Sequence, residues 1–279
     1  MTIDSENYKQ QVIAVFDTVA EGYDNVAMRF FAFTADKLVD VLKPSVGDKV
    51  LDIATGTGAV ATSCAQAVLP NGRVTAIDLS EAMLAQAMEK SRLLALENID
   101  FFIMDAEQLQ FEHDYFDHAI CSFGIFFLPE MTSALKEWVR VVKPGGKLIF
   151  SSFTENAFQP MMKTFFSDLE EFGVQFDEPS LKIQKLSNKE QCRELMAAAS
   201  LDERMVEKHQ MGYHLHGADD WWEIVRFSGL RGMLNKLDQQ LLGQFKAKHL
   251  ESIQSLFNDN ELWMDVEVLI SQGKVPPVQ

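Results

Sequence analysis

Three aspartates, each closing a short apolar run, are the residues best placed to do chemistry in this chain: Asp52 after Val50-Leu51, Asp78 after Ala76-Ile77 and Asp105 after Ile103-Met104. Asp52 leads into Ala54-Thr55-Gly56-Thr57-Gly58. Glycines there let the backbone turn tightly and approach a ligand with no Cβ in the way. Ala59 to Leu69 continues at helical spacing, so a helix N-terminus faces the same spot. The spacing Gly56-x-Gly58-x-x-Ala61, with Asp78 about twenty residues on, also fits the fingerprint of a dinucleotide site. A dinucleotide, however, would bring a pyrophosphate against Asp52, and like charges held close and partly desolvated cost kilocalories. A ligand with a cationic amino-acid end reverses that sign.

The elements that must hold these groups follow from the punctuation around them. Arg73 to Ile77 reads as a second strand, Ser80 as the cap of a helix running to about Leu96, and Ile99 to Met104 as a third strand. His118 to Phe123 forms a fourth strand leading to a helix that opens near Pro129, and Lys143-Pro144-Gly145-Gly146 turns into a fifth, Lys147 to Phe153. Strand alternating with helix in this way gives a parallel, doubly wound sheet with right-handed crossovers. At its carboxyl edge Asp78 can accept both hydroxyls of a ribose, and Asp105 with the Ala106 N–H can read the amino group and ring nitrogen of adenine. S-adenosyl-L-methionine, with an ammonium, a sulfonium, a ribose and an adenine, is the cofactor these groups suit.

The stretches Leu51-Asp52-x-Ala54-x-Gly56-x-Gly58, Ala76-Ile77-Asp78-Leu79-Ser80-x-x-Met83-Leu84, Asp105-Ala106-Glu107, Phe116-Asp117, Ser122-Phe123-Gly124 and Lys143-Pro144-Gly145-Gly146 resemble class I S-adenosylmethionine-dependent methyltransferases. The subgroup is similar to the ubiquinone/menaquinone biosynthesis C-methyltransferases (methyltransferase type 11). Phe16-Asp17-x-x-Ala20-x-x-Tyr23-Asp24 resembles the family's lid segment. The resemblance covers about residues 10 to 155, and Ala54 stands where many relatives have a first glycine. It implies a doubly wound seven-stranded, mostly parallel α/β sheet with an N-terminal helical lid (1–36), a cofactor-binding core (37–153), and helical cap insertions with the last two strands (154–279). The cofactor-binding residues it implies are Tyr23, Asp52, Ala54, Gly56, Gly58, Asp78, Leu79, Met83, Asp105, Ala106, Ser122 and Phe123. Asp52 would hold the methionine end through the adjoining loop, Asp78 the ribose, Asp105 and Ala106 the adenine, and Tyr23 and Ser122 would border the methyl group.

Composition narrows the partner. The 279 residues carry a formal net charge of −16, a surface that repels nucleic-acid phosphates. Cys121-Ser122-Phe123-Gly124 also differs from the Asn/Asp-Pro-Pro-aromatic element found where exocyclic base amines are methylated. No apolar run reaches membrane-spanning length and the start is polar and acidic, so no integral membrane contact and a cytoplasmic location are expected. Cys64, Cys121 and Cys192 have no metal-like spacing and are expected to be reduced thiols, with no metal site. The expected partner is a small molecule, and the chain a monomer or homodimer.

Acceptor specificity falls to the second half. Two segments, about 154–187 and 217–260, are too long for plain connections and leave from the carboxyl edge, flanking a sixth strand (Arg204 to His214) and a seventh (Leu262 to Ile270). Phe158, Met162, Phe166, Phe172 and Phe176 in the first and Trp221, Trp222, Phe227, Met233 and Phe245 in the second suit a substrate with apolar or aromatic surface. His214 and His216, two apart and so on one face of a continuing strand, are the candidate catalytic bases. Residues of this kind leave the acceptor atom open among carbon, oxygen, nitrogen and sulfur. They also leave two other classes: a cofactor-binding regulatory protein of the same fold with no methyl transfer, and an NAD-dependent dehydrogenase.

Overall fold

A computed structural model describes residues 5–175, 186–259 and 261–277; Phe176 lies outside them. Helix α1 (Ser5–Val19) opens the chain, two 3-10 turns follow at Ala20–Gly22 and Val26–Met28, and α2 spans Phe30–Leu42. The core then alternates: β1 (Lys49–Ile53), α3 (Ala59–Val68), β2 (Arg73–Asp78), α4 (Glu81–Leu93), β3 (Ile99–Ile103), β4 (Phe116–Ser122), α5 (Met131–Val141) and β5 (Val142–Phe153). With β6 (Asp202–Gln210) and β9 (Glu267–Lys274) these strands form one seven-stranded sheet in the order β3-β2-β1-β4-β5-β9-β6, in which β9 runs antiparallel to both neighbours. The expected doubly wound, mostly parallel α/β sheet is present. β1 and β2 are buried over nearly their whole length, as strands covered by helices on both faces must be. Asp52 pairs with Ala76 and Asp78 with Ile103, so the three carboxylate-bearing strands end together at one edge.

Several boundaries differ from those the sequence suggests. The limit expected at 36/37 falls inside α2, so one helix spans it. Lys143 to Gly146 is no separate turn but the start of a twelve-residue β5, where Gly145 at φ +81° bends the chain while it stays bonded to Val275. The sixth and seventh strands both break at one level. Beyond Gln210 the chain leaves the sheet, and Tyr213–Leu215 (β7) pairs with Leu262–Met264 (β8) as a separate ribbon. Gln210 causes the break: its side-chain oxygen accepts the N–H groups of Gly212 at 2.7 Å and Val266 at 3.0 Å, donors that would otherwise have carried the ladder on. A Cβ on Gly212 would fall 2.3 Å from the Met264 carbonyl oxygen, so only glycine passes there.

The cap is helical: α6 (Met161–Glu171), α8 (Ala218–Phe227), α9 (Arg231–Leu234) and α10 (Gln239–Gln254), while α7 (Lys189–Ala198) packs on β6. A buried polar chain ties three of these helices together. Trp221 donates its indole N–H to His249 Nε2 at 2.9 Å, so the imidazole proton sits on Nδ1 and is given to Asp168 Oδ2 at 2.7 Å. Ser252 donates to the other oxygen of Asp168. Burial holds His249 below its ordinary pKa, against the pull of Asp168. The lid packs on the same cap, since a Cβ on Gly22 would lie 2.1 Å from the Phe227 ring.

Trp221→Phe is expected to lower stability by about 1–3 kcal/mol, because it leaves His249 Nε2 buried without a donor. A denaturant midpoint equal to that of the unaltered protein would show that this polar chain does not anchor the helices.

Candidate functional site

The loop after β1 is built from strained backbone. Ala54 at φ +53°, Gly56 at +55° and Gly58 at +81° are all left-handed. The turn is tied to β2 at both ends of its curve: Thr55 N–H donates to the Ile77 carbonyl at 2.9 Å and Gly56 N–H to Asp78 Oδ2 at 2.8 Å. Asp78 Oδ1 also accepts the Ser80 N–H at 2.9 Å. The Ala54 Cβ is accommodated from the facing loop, where a Cβ on Gly124 would fall 2.6 Å from it. Beneath the loop, Asp52 is 1% exposed and accepts the Thr55 hydroxyl at 2.5 Å through Oδ2, while Oδ1 is buried with no partner. Burial pushes the Asp52 carboxyl up to about 7, opposed by the Thr55 hydroxyl and the Ala61 N–H and reinforced by the charge of Asp78. Asp78 is likewise raised by desolvation, opposed by its three backbone donors Ser80, Gly56 and Leu79.

Above this floor lies a cavity of about 110 Å³. Of the residues expected to bind the cofactor, Tyr23, Ala54, Gly56, Asp78, Leu79, Met83, Ala106, Ser122 and Phe123 line it. Three do not. Asp52 lies beneath the loop, Gly58 caps α3 against Ala87, and Asp105 is turned toward the lid. Lys9 of α1, 11% exposed, bridges Asp105 at 2.6 Å and Glu107 at 2.5 Å. Burial works against that ammonium, but the two carboxylates hold it above its usual range. Lys9 itself lines the cavity with Val12, Ile13 and Phe16. Sequence reasoning passed over it, although it shares their helical face at spacings of three, four and seven. The lid has two further ties: the Ser80 hydroxyl donates to Asp17 at 2.5 Å, and Asp24 accepts from Thr57 at 2.7 Å and pairs with Lys90 at 2.8 Å.

His214 and His216 are brought to none of the described cavities. They do share a face, but on the ribbon beyond the Gln210 break that face is the outer one. Tyr213 and Leu215 point in, while the His214 side chain is 51% exposed beside Glu261 and Trp263. His216 is exposed, and its N–H donates to Asp220.

A second space adjoins the first cavity. Phe16, Tyr23, Phe123 and Phe127 also line a second chamber of about 40 Å³, whose other walls include Phe30, Phe31, Phe126, Phe153 and Phe158. Tyr23 stacks on Phe31 at 4.9 Å, and Phe123, held at φ +55°, stacks on Phe153 at 4.2 Å. Burial, then the charges of Asp78 and Asp24, push the Tyr23 phenol well above its ordinary range, so it stays protonated. A third cavity of about 480 Å³ opens beyond, between α1 and the cap. The donor set fits S-adenosyl-L-methionine: an acceptor carboxylate in the wall, apolar Leu79, Met83 and Met104 beside it, and below the loop an orphaned carboxylate oxygen that a nearby cation would relieve.

Comparison with known proteins agrees with this architecture. The ubiE/COQ5 methyltransferase family is matched over residues 3–174. Aklanonic acid methyltransferase DauC of Streptomyces sp. (strain C5) is 34% identical over 146 residues, 52% of this chain and 66% of that protein. The demethylmenaquinone methyltransferase of Bacillus cytotoxicus is 36% identical over 148 residues, 52% of this chain and 62% of that protein. The chain thus matches just under two-thirds of the length of these curated relatives. The crystal structure of the YcgJ protein of Bacillus subtilis has the same fold, with a TM-score of 0.60 at 18% identity over 88% of this chain and 100% of that one.

The raised carboxyl of Asp52 has a measurable sign. Its folded value of about 7 exceeds its ordinary 3.8, so the folded state holds a proton that the unfolded chain releases. Its contribution to stability is therefore full below about pH 4 and is lost as pH rises to about 7, at up to about 1.4 kcal/mol per pH unit. Asp52→Asn should flatten the decline of the melting temperature over that window, and parallel curves for the two proteins would show that Asp52 is ionised throughout.

Proposed function

The chain belongs to the ubiE/COQ5 methyltransferase family, and from this premise we propose that it transfers the methyl group of S-adenosyl-L-methionine to a small, partly apolar or aromatic metabolite. The observation that carries the reading is the adjacency of two unlike spaces: a cavity with Asp78 in its wall shares Phe16, Tyr23, Phe123 and Phe127 with a chamber lined mainly by phenylalanine. When bound, the cofactor supplies a methyl group already activated on a sulfonium. Asp78 would accept hydrogen bonds from its ribose hydroxyls and Leu79, Met83 and Met104 would flank its adenine, while the Lys9 bridge to Asp105 and Glu107 holds α1 against the core. Asp52, below the loop, would serve the methionine end, whose positive charge would favour its ionised form. The aromatic chamber excludes water and orients the acceptor, and placement of this kind can supply much of the rate acceleration. Tyr23, protonated, stands where the two spaces meet, with Ser122 in the wall of the cofactor cavity, and both can donate hydrogen bonds to an acceptor.

A small acceptor agrees with the enclosed chambers and with the net charge of −16, which disfavours nucleic acid. No helix among the described residues is long and apolar enough to cross a membrane. A cytoplasmic, monomeric or homodimeric enzyme is the reading we adopt.

Titration calorimetry tests the cofactor: S-adenosylmethionine and S-adenosylhomocysteine should bind and NAD should not, and Asp78→Ala should cost about 1–3 kcal/mol of that affinity through the lost acceptor. NAD binding with no response to S-adenosylhomocysteine would sink the assignment. Because His214 and His216 face outward, their joint replacement by alanine should leave methyl transfer within about twofold. A hundredfold loss of kcat, the scale of a missing general base, would instead return them to the mechanism.

A further inference from the structure

The third cavity is the largest space described, about 480 Å³ against about 40 Å³ for the aromatic chamber. The two share walls: Phe16, Phe127, Phe153, Phe158, Met162 and Gly229 border both. Phe16 and Phe127, edge to face at 5.2 Å, also border the cofactor cavity, so this pair of rings is the wall at which the three spaces meet. The outer cavity has an apolar lining and, at its mouth, the exposed neutral amides of Gln11, Gln159 and Asn235. Its two charged residues, Glu155 and Lys236, are of opposite sign, so it makes no demand for an ionic occupant. A hydrocarbon chain lying across that mouth would strip water from the amides and return no hydrogen bond. An oxygen-bearing body would replace what is lost.

We propose that the outer cavity is a binding subsite for the body of a two-part acceptor. A flat head enters the phenylalanine chamber, and an oxygenated, uncharged body of more than one ring fills the space between α1 and α9. The inference rests on the methyl-transfer reading and deepens it by naming the acceptor's class. Gly229 lies in the shared wall: a Cβ there would lie 3.2 Å from Phe127 Cζ, and Gly229 touches the aromatic and outer spaces but not the cofactor cavity. A larger side chain at 229 narrows the acceptor's path from outside the cofactor cavity, and of that cavity's walls it meets the shared Phe127 ring.

The test uses the full chain loaded with S-adenosylhomocysteine and equilibrium dialysis against two compounds, 1,8-dihydroxyanthraquinone and menaquinone-2, the second a quinone with an isoprenoid tail. The hydroxylated tricycle should bind at least about tenfold more tightly, a difference of about 1.4 kcal/mol. Gly229→Val should weaken its binding at least about tenfold while S-adenosylhomocysteine affinity stays within about twofold, the latter also reporting that the variant is folded. Gln11→Leu with Asn235→Leu, on the exposed rim, should weaken the tricycle about fivefold or more and spare the tailed quinone. Tighter binding of menaquinone-2, no binding of either compound to the loaded protein, or a tricycle affinity indifferent to both variants would overturn the proposal. Failure of S-adenosylhomocysteine itself to bind the unaltered protein would strike the methyl-transfer reading instead.

Discussion

A buried carboxylate, Asp52, lies beneath the short loop after β1 and a half-buried one, Asp78, beside it, and accommodating their charge constrains what surrounds that loop. Burial raises the proton affinity of both, and the charge of Asp78 raises that of Asp52 further. The loop lowers the cost by turning Thr55 to one and Gly56 to the other, and Ser80, after β2, adds its N–H to Asp78. To do so it places three residues in left-handed conformations, one of them Ala54, which bears a Cβ. Such backbone persists only where its surroundings over-determine it. Here the matched ends of β1 and β2 and the missing side chain of Gly124 supply that support. One oxygen of Asp52 has no hydrogen-bond partner, and a positive charge nearby would favour the ionised carboxylate.

The lid answers the same field at a distance. Lys9 closes on Asp105 and Glu107, while Asp17 and Asp24 are tied to the core through Ser80, Thr57 and Lys90. The two aspartates of the Phe16-Asp17 and Tyr23-Asp24 pairs thus act as anchors, and the aromatic residues beside them, Phe16 and Tyr23, become the walls between cofactor and acceptor spaces. Charge fixes the segment, and apolar surface gives it shape.

What could be read from the sequence was what is local. Each of the three strand-end aspartates sits in its own run of apolar residues with its own turn signal, so the parallel core and the loop at Gly56 and Gly58 were legible. The sixth strand was not, because the interruption comes from one glutamine side chain capturing two N–H groups, one of them on the neighbouring chain segment at Val266. His214 and His216 illustrate the limit: a spacing of two places residues on one face of a strand but does not say which face is buried. Lys9 and His249 escaped notice for a related reason, since their partners lie 96 and 81 residues away. Only the three-dimensional fold brings those charges together.

The shared wall has a thermodynamic consequence for the order of binding. Helix α1 presents Lys9, Val12, Ile13 and Phe16 to the cofactor cavity and Gln11, Val12, Val15 and Phe16 to the outer one, so a ligand on either side packs against the same element. Whichever binds first meets part of the entropy of ordering that helix, and the second binds to a wall already in place. The coupling must be equal in both directions. The ties of α1 and the turn after it reach both sides: Lys9, Asp17 and Asp24 bind the core through Asp105, Glu107, Ser80, Thr57 and Lys90, while Asn25 donates to Glu223 of α8 and Val15 packs against Gly232 of α9. A ligand in either space therefore acts on an element that already joins the core to the cap.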